Sequence, residues 1–127
     1  MIDQLAMALA RLLQRLMGTP YDPAKLAAEF PMRFKNELNI DLDELLEMDN
    51  SQALELLVNG KGYSIAHLRD LGNVLCELMR LTEPGERRDQ LRKKACGLFA
   101  FVKANSSIIY FDVELKIKEL GCNEQGD

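Results

Sequence analysis

The apolar residues near the start of the chain recur at helical spacing. Ile2, Leu5, Leu9, Leu12, Leu13 and Leu16 form one stripe, and Asp3, Gln4, Arg11, Gln14 and Arg15 lie largely off it. This pattern predicts an amphipathic helix over residues 1–18, stopped by Gly18 and Pro20. Asp22 followed by Pro23 is a helix cap plus a first-turn proline, opening a short helix through Leu26, Ala27 and Phe30. Pro31 should interrupt it, leaving another turn or two of helix from Met32 to Leu38. Asp41-Leu42-Asp43-Glu44 fits a capping box, with Glu44 reaching back, and its helix carries Leu42, Leu45 and Leu46. After a break at Asp49-Asn50, a second short helix holds Ala53, Leu54, Leu57 and Val58, and Asn59-Gly60-Lys61-Gly62 ends it.

Ser64 caps the longest apolar pattern. Ile65, Leu68, Gly72, Leu75 and Met79 form one stripe, and Leu71, Val74, Leu78 and Leu81 form a second beside it. A helix apolar over so much of its girth belongs at the centre of a bundle, packed on more than one neighbour. Glu83-Pro84-Gly85 is a tight reversal, and the next helix, from about Glu86 to Ala104, should bury Leu91, Ala95, Leu98, Phe99 and Val102. Gly97 would let a neighbour approach closely. The short connection makes the two helices antiparallel neighbours. Ser107-Ile108-Ile109-Tyr110-Phe111 has strand-like composition, but no segment offers a partner strand. It reads instead as an extended lead-in to a last helix, with Val113, Ile117 and Leu120 inward and Glu114, Lys116, Lys118 and Glu119 outward. Gly121 ends that helix, and Cys122 to Asp127 should fray.

Composition narrows the picture. The 127 residues suit one domain, and 47% hydrophobic residues are enough to bury a core. A net charge of −4 argues against a nucleic-acid partner. The single histidine, His67, and the three cysteines without C-x-x-C spacing remove zinc ribbons, disulfide scaffolds and any Ser-His or Cys-His triad not built on His67. No run approaches the length of a bilayer span, and the start lacks the basic, uninterrupted apolar pattern of a signal peptide. Cys76, Cys96 and Cys122, odd in number and unpatterned, read as reduced thiols in a cytoplasm. Cys76 and Cys96 should pack as small hydrophobes, and Cys122 should be exposed in the tail.

The candidate chemistry is thin. The acidic stretch Glu37, Asp41, Asp43, Glu44, Glu47, Asp49 and Glu55 lacks the glycine and ligand spacing of a calcium loop and reads as a solvated face or a partner surface. The basic cluster Arg87, Arg88, Arg92, Lys93 and Lys94 could contact phosphates, but it is better explained as a solvated face or as docking on the acidic stretch. Gly60-Lys61-Gly62-Tyr63-Ser64 matches neither phosphate-loop spacing. His67 reads as a hydrogen-bonded structural residue, with no nucleophile or orienting acid identifiable nearby in sequence. No metal, cofactor or catalytic residue is expected. The leucine stripe of the first helix has three readings: ordinary core, a self-association face, or a membrane-surface helix. The last is disfavoured because its polar face offers only Arg11 and Arg15.

The segments Leu5-Ala6-Met7-Ala8-Leu9-Ala10-Arg11-Leu12-Leu13, Lys94-Ala95-Cys96-Gly97-Leu98-Phe99 and Phe111-Asp112-Val113-Glu114-Leu115-Lys116-Ile117 resemble a family of small uncharacterised bacterial helical proteins. Those proteins resemble a single tetratricopeptide-type helix pair behind an N-terminal amphipathic helix. Leu68-x-x-Leu71-Gly72-x-x-Leu75 and Ala95-x-x-x-Phe99 carry that spacing here, farther apart than a 34-residue repeat allows. The resemblance implies no activity.

Together these readings predict an all-α single domain over residues 1–127: a small helical bundle with an N-terminal amphipathic helix over 1–18 and a tetratricopeptide-like antiparallel pair plus capping helix over 64–121. The expected function is a non-catalytic, cytoplasmic protein-interaction or adaptor module, homodimeric through Leu5, Leu9, Leu12 and Leu16, with no membrane contact. The alternatives are a small-ligand-binding or enzymatic subunit with a site between helices, and a nucleic-acid-linked regulator using the Arg87–Lys94 cluster.

Overall fold

The computed structural model describes residues 3–18 and 22–122. Its described residues form seven α-helices and no strand, as the periodicity predicts. They are α1 (Gln4–Met17), α2 (Pro23–Leu38), α3 (Leu42–Glu47), α4 (Asn50–Leu54), α5 (Ile65–Arg80), α6 (Glu86–Asn105) and α7 (Phe111–Leu120). The expected roles of Ile2 and Pro20, and the fraying expected of residues 123–127, lie outside the described residues.

Short polar side chains start most of these helices. Asp3, Asp22, Asp41, Asp49 and Ser64 each accept a backbone N–H from the first turn that follows, which satisfies donors with no intrahelical partner. At Asp41 the aspartate caps α3 as expected, while reciprocal capping boxes form at Asp49 with Gln52 and at Ser64 with His67. α4 runs on into a wider π-helical segment, Glu55–Gly60, before the loop to α5.

Pro31 does not break α2; it sits inside one continuous helix. Phe30 and Phe34 stand one turn apart on either side of it and both bury against the core, holding the two halves in line. The carbonyl that loses its donor belongs to Ala27, an exposed residue, where water can take the bond.

α5 is the central element. It packs on α6 along its length and on α1 across its other face, burying Leu68, Leu71, Val74, Leu75 and Leu78. α2 covers α1, α3 and α4 cover α6 from a second side, and α7 covers it from a third. Two glycines set the closest crossings. A Cβ at Gly72 would stand 2.6 Å from the buried Phe99 ring, and one at Gly97 would stand 2.5 Å from the Asn50 side chain. Gly97 thus allows the close approach expected of it, and Gly72 lets α6 seat a full phenylalanine against α5.

The leucine stripe of α1 faces inward. Leu9, Leu12 and Leu16 are 1%, 2% and 3% exposed and belong to the core, with Leu5 packed at its edge. The expected self-association face is therefore covered at Leu9, Leu12 and Leu16 and only partly open at Leu5: α5 and α2 occupy it. A stripe this apolar gains most from the nearest large apolar surface, and α5 offers one within the same chain.

The cysteine expectation is also corrected. Cys96 in α6 and Cys122 after α7 form a disulfide, with Cα atoms 5.5 Å apart across 26 residues of sequence. The return of α7 along α6 brings them together, which no local spacing announces. Cys76 is free and buried, as expected. The cytoplasmic expectation rested on reduced thiols, and this pair removes that ground.

Candidate interaction surface

The segment between α6 and α7 builds an outward apolar face. Ile108 N–H donates to Ser106 Oγ at 3.1 Å, shaping the extended lead-in that the sequence predicts. α7 then buries Val113 and Ile117 and keeps Leu120 at the core edge. What the inward pattern does not announce is the opposite side. Ile108, Ile109, Phe111 and Leu115 are 60%, 73%, 83% and 56% exposed. Phe111 and Leu115 are one turn apart and share a helix face, and the two isoleucines precede it directly. Contiguous exposed apolar surface larger than a few hundred Å² marks interaction sites.

This face stands on a fixed base. Arg69 of α5 donates from Nε to Asp112 at 2.9 Å, and its guanidinium lies 4.6 Å above the centroid of the Tyr110 ring. Asn73 adds a weaker contact to the same carboxylate at 3.5 Å. Partial burial raises the Asp112 pKa, but the hydrogen bond and charge of Arg69, with help from Asn73 and the Val113 amide, outweigh it and hold the carboxyl below its ordinary 3.8. Lys103 of α6 pairs with Glu114 at 3.4 Å, and the Cys96–Cys122 disulfide anchors the far end. No local spacing groups Arg69 with Tyr110 and Asp112: Arg69 lies on α5, and Tyr110 and Asp112 at the start of α7, so only the return of α7 brings them together.

The basic and acidic segments meet each other, the outcome preferred for the cluster. Arg87 pairs with Asp43 at 2.6 Å, joining α6 to α3. Arg92 and Lys93 both reach Asp89 within their own helix. Lys94 is only 4% exposed and donates to the Met48 carbonyl and to Asn50 Oδ1 at 3.2 Å. Met48 caps the C-terminal end of α3, so this ammonium also faces the negative end of a helix dipole. Burial lowers the Lys94 pKa, partly offset by Asp49. A cluster tied down this way leaves few charges for a polyanion.

His67 is the hydrogen-bonded structural residue expected. Its Nδ1 accepts the Ser64 backbone N–H at 3.0 Å, which leaves the proton of the neutral ring on Nε2, facing Asp3 at 2.8 Å. Ser64 Oγ accepts the His67 backbone N–H at 3.2 Å. Ser, His and Asp thus come together, but with no ring nitrogen free to take a proton from the hydroxyl, so the trio caps α5 and ties it to α1. Asp3 keeps a lowered pKa, chiefly through the Ala6 amide and then through His67.

Between α2 and the α5–α6 turn lies a groove of about 380 Å³, with Leu26, Ala27, Leu81 and Pro84 among its walls. The Arg87 that borders it is engaged by Asp43, and the convergent polar groups that orient a small ligand are not evident among the described residues. No group of three or more His, Cys, Asp or Glu among the described residues is placed to hold a metal ion. No helix among them is long and apolar enough to cross a membrane. Comparison with protein-family models, with curated proteins and with solved structures gives no match to this chain.

Proposed function

We propose that the protein is a non-catalytic interaction module whose contact surface is the Ile108, Ile109, Phe111 and Leu115 face, and that its partner is a second copy of the chain. The observation that carries this is the exposure of four large apolar side chains within eight residues, held on a base fixed by Arg69, Asp112 and the disulfide. The charges around the face favour a two-fold pairing. α7 is acidic in its first turn, at Asp112 and Glu114, and basic later, at Lys116 and Lys118. Antiparallel docking of two α7 helices turns the acidic first turn of each toward the basic half of the other and opposes their dipoles. Four apolar side chains contribute roughly 6–12 kcal/mol when fully covered, against association costs of about 4–15 kcal/mol, so the dimer is a weak and reversible one. The tetratricopeptide-like character of α5 and α6 belongs to the same proposal, supported by the seating of Phe99 on Gly72 where the two spacing motifs meet.

Light scattering behind size exclusion tests it, run from about 1 to 100 μM on the intact chain and on a Phe111→Ser, Leu115→Ser variant. The expected result is a concentration-dependent dimer for the intact chain and a folded monomer for the variant. A monomer throughout for the intact chain, or a dimer unaffected by the substitutions, overturns it.

A further inference from the structure

The fold also builds a basic cluster that the sequence conceals. Arg11 and Arg15 are one turn apart on α1, and Arg33 and Glu37 are one turn apart on α2. The two helices pack together, and all four side chains line one cavity of about 430 Å³, with Leu12 and Gln14. Glu37 takes Arg11 in a two-pronged contact, at 3.0 Å to Nε and 2.8 Å to Nη2. That pairing lowers the Glu37 pKa, with the hydrogen bond to Arg11 as the largest cause. Because Arg11 meets Glu37, the neighbouring turns set Arg15 toward Arg33.

Two guanidinium groups therefore share one cavity, and neither has a carboxylate partner among the described residues. Like charges in that arrangement repel. The α6 cluster provides the contrast: four of its five members are tied to Asp43, Asp89, Met48 or Asn50. Three arginines and one glutamate leave the cavity a formal charge of +2 inside a chain whose net charge is −4. A phosphate monoester carries about −1.5 to −2 at neutral pH and offers three acceptor oxygens. The planar fork of arginine matches it in two-pronged fashion. The volume is within the range of small-molecule sites and exceeds what a bare phosphate needs.

We infer that Arg15 and Arg33, with Arg11 held beside them by Glu37, clasp the phosphoryl group of a small phosphorylated molecule between α1 and α2. This site is separate from the α7 face and does not depend on that reading.

Backbone-amide NMR titration tests it, with inorganic phosphate and then pyrophosphate as probes at constant ionic strength. Saturable shifts are expected over residues 11–15 and 33–37, with pyrophosphate binding more tightly than phosphate. Arg33→Ala should weaken binding about tenfold, the equivalent of one charge-assisted hydrogen bond. Arg33→Lys should recover only part of the loss, because it restores the charge and not the fork. Lys35→Ala on the same helix removes the same charge outside the cavity and should change affinity less than about twofold. Linear shifts up to about 20 mM, shifts centred on α6, or equal losses in Arg33→Ala and Lys35→Ala each overturn the inference. So does a single-stranded oligonucleotide that displaces pyrophosphate at far lower concentration, because the ligand would then be a polymer backbone. Both substituted residues, Arg33 and Lys35, are exposed, so the three variants should fold, and their circular dichroism should match that of the intact chain.

Discussion

α1 and α7 are both amphipathic and lie toward opposite ends of the chain, yet their apolar residues meet opposite fates. α1 carries the cleaner leucine stripe, and the fold covers its centre: Leu9, Leu12 and Leu16 lie buried against α5 and α2. α7 carries the more mixed pattern, and after burying Val113 and Ile117 it leaves Phe111 and Leu115 in solvent. An apolar stripe states that some surface must cover it; it does not state which molecule supplies that surface. α1 finds α5 in its own chain. The outer face of α7 has only one side of the bundle to lean on, so its second apolar stripe stays outside.

The largest effect expected from this contrast comes from matched polar substitutions. Leu9→Glu with Leu12→Glu should unfold the chain, since each leucine is fully buried and truncation alone costs about 2–5 kcal/mol at such sites. Phe111→Ser with Leu115→Ser should leave the melting curve of dilute protein within about 0.5 kcal/mol of the parent. Thermal denaturation followed by circular dichroism reads both. A folded first variant would return the α1 stripe to the surface.

Reduction is next in size. The Cys96–Cys122 link closes a loop of 26 residues, for which the chain-entropy argument gives about 3.5 kcal/mol. Cys122→Ser should lower the denaturation midpoint accordingly and raise amide exchange over α7 before α1. A midpoint that is the same with and without reductant would show that packing alone holds α7.

Gly72→Ala sharpens the comparison from the core side. The new methyl would meet the Phe99 ring, itself fully buried, and overpacking of this kind costs about 1–3 kcal/mol. Urea denaturation should show that loss. A neutral result would mean that α5 and α6 can slide apart without penalty.

The smallest effect is the pH dependence at α7. The Asp112 carboxyl titrates below its ordinary 3.8 because of Arg69, so its contribution to stability is complete above that value and is lost as pH falls through the lower, folded value. Acidification below about pH 4 should loosen α7 first, and Asp112→Asn should remove that part of the pH dependence while leaving the rest of the acid transition in place. Amide exchange over residues 111–120 across pH 2–5 reads it; an identical acid profile in the variant would show that Arg69 gains nothing from the ionised carboxylate.

Much of the architecture is legible in one dimension. The caps at Asp22, Asp41 and Ser64, the doubled stripe of α5, the reversal at Glu83-Pro84-Gly85 and the small contact at Gly97 all depend on neighbours within a few residues, or on a period that a helix imposes. Pro31 misled because its penalty is local, while the Phe30 and Phe34 burial that overcomes it is tertiary. His67 was legible as structural, but its partner Asp3 was not, because 64 residues separate them.

The functional surfaces divide the same way. The Ile108–Phe111 run was visible as an odd apolar segment, but its exposure depends on which side of α7 meets α6. The Arg87–Lys94 cluster was visible as charge, and docking on the acidic stretch was expected of it, as Arg87 does on Asp43; the burial of the Lys94 ammonium against the Met48 carbonyl and Asn50 was not visible. The amino-acid sequence by itself determined where the helices start and stop and which of their faces are apolar, because capping and periodicity act over one or two turns. Only the tertiary structure decided which apolar face is covered, which cysteines meet and which arginines converge. Those outcomes depend on distances between residues far apart in the chain, and such distances are set by the packing of whole helices rather than by any local spacing.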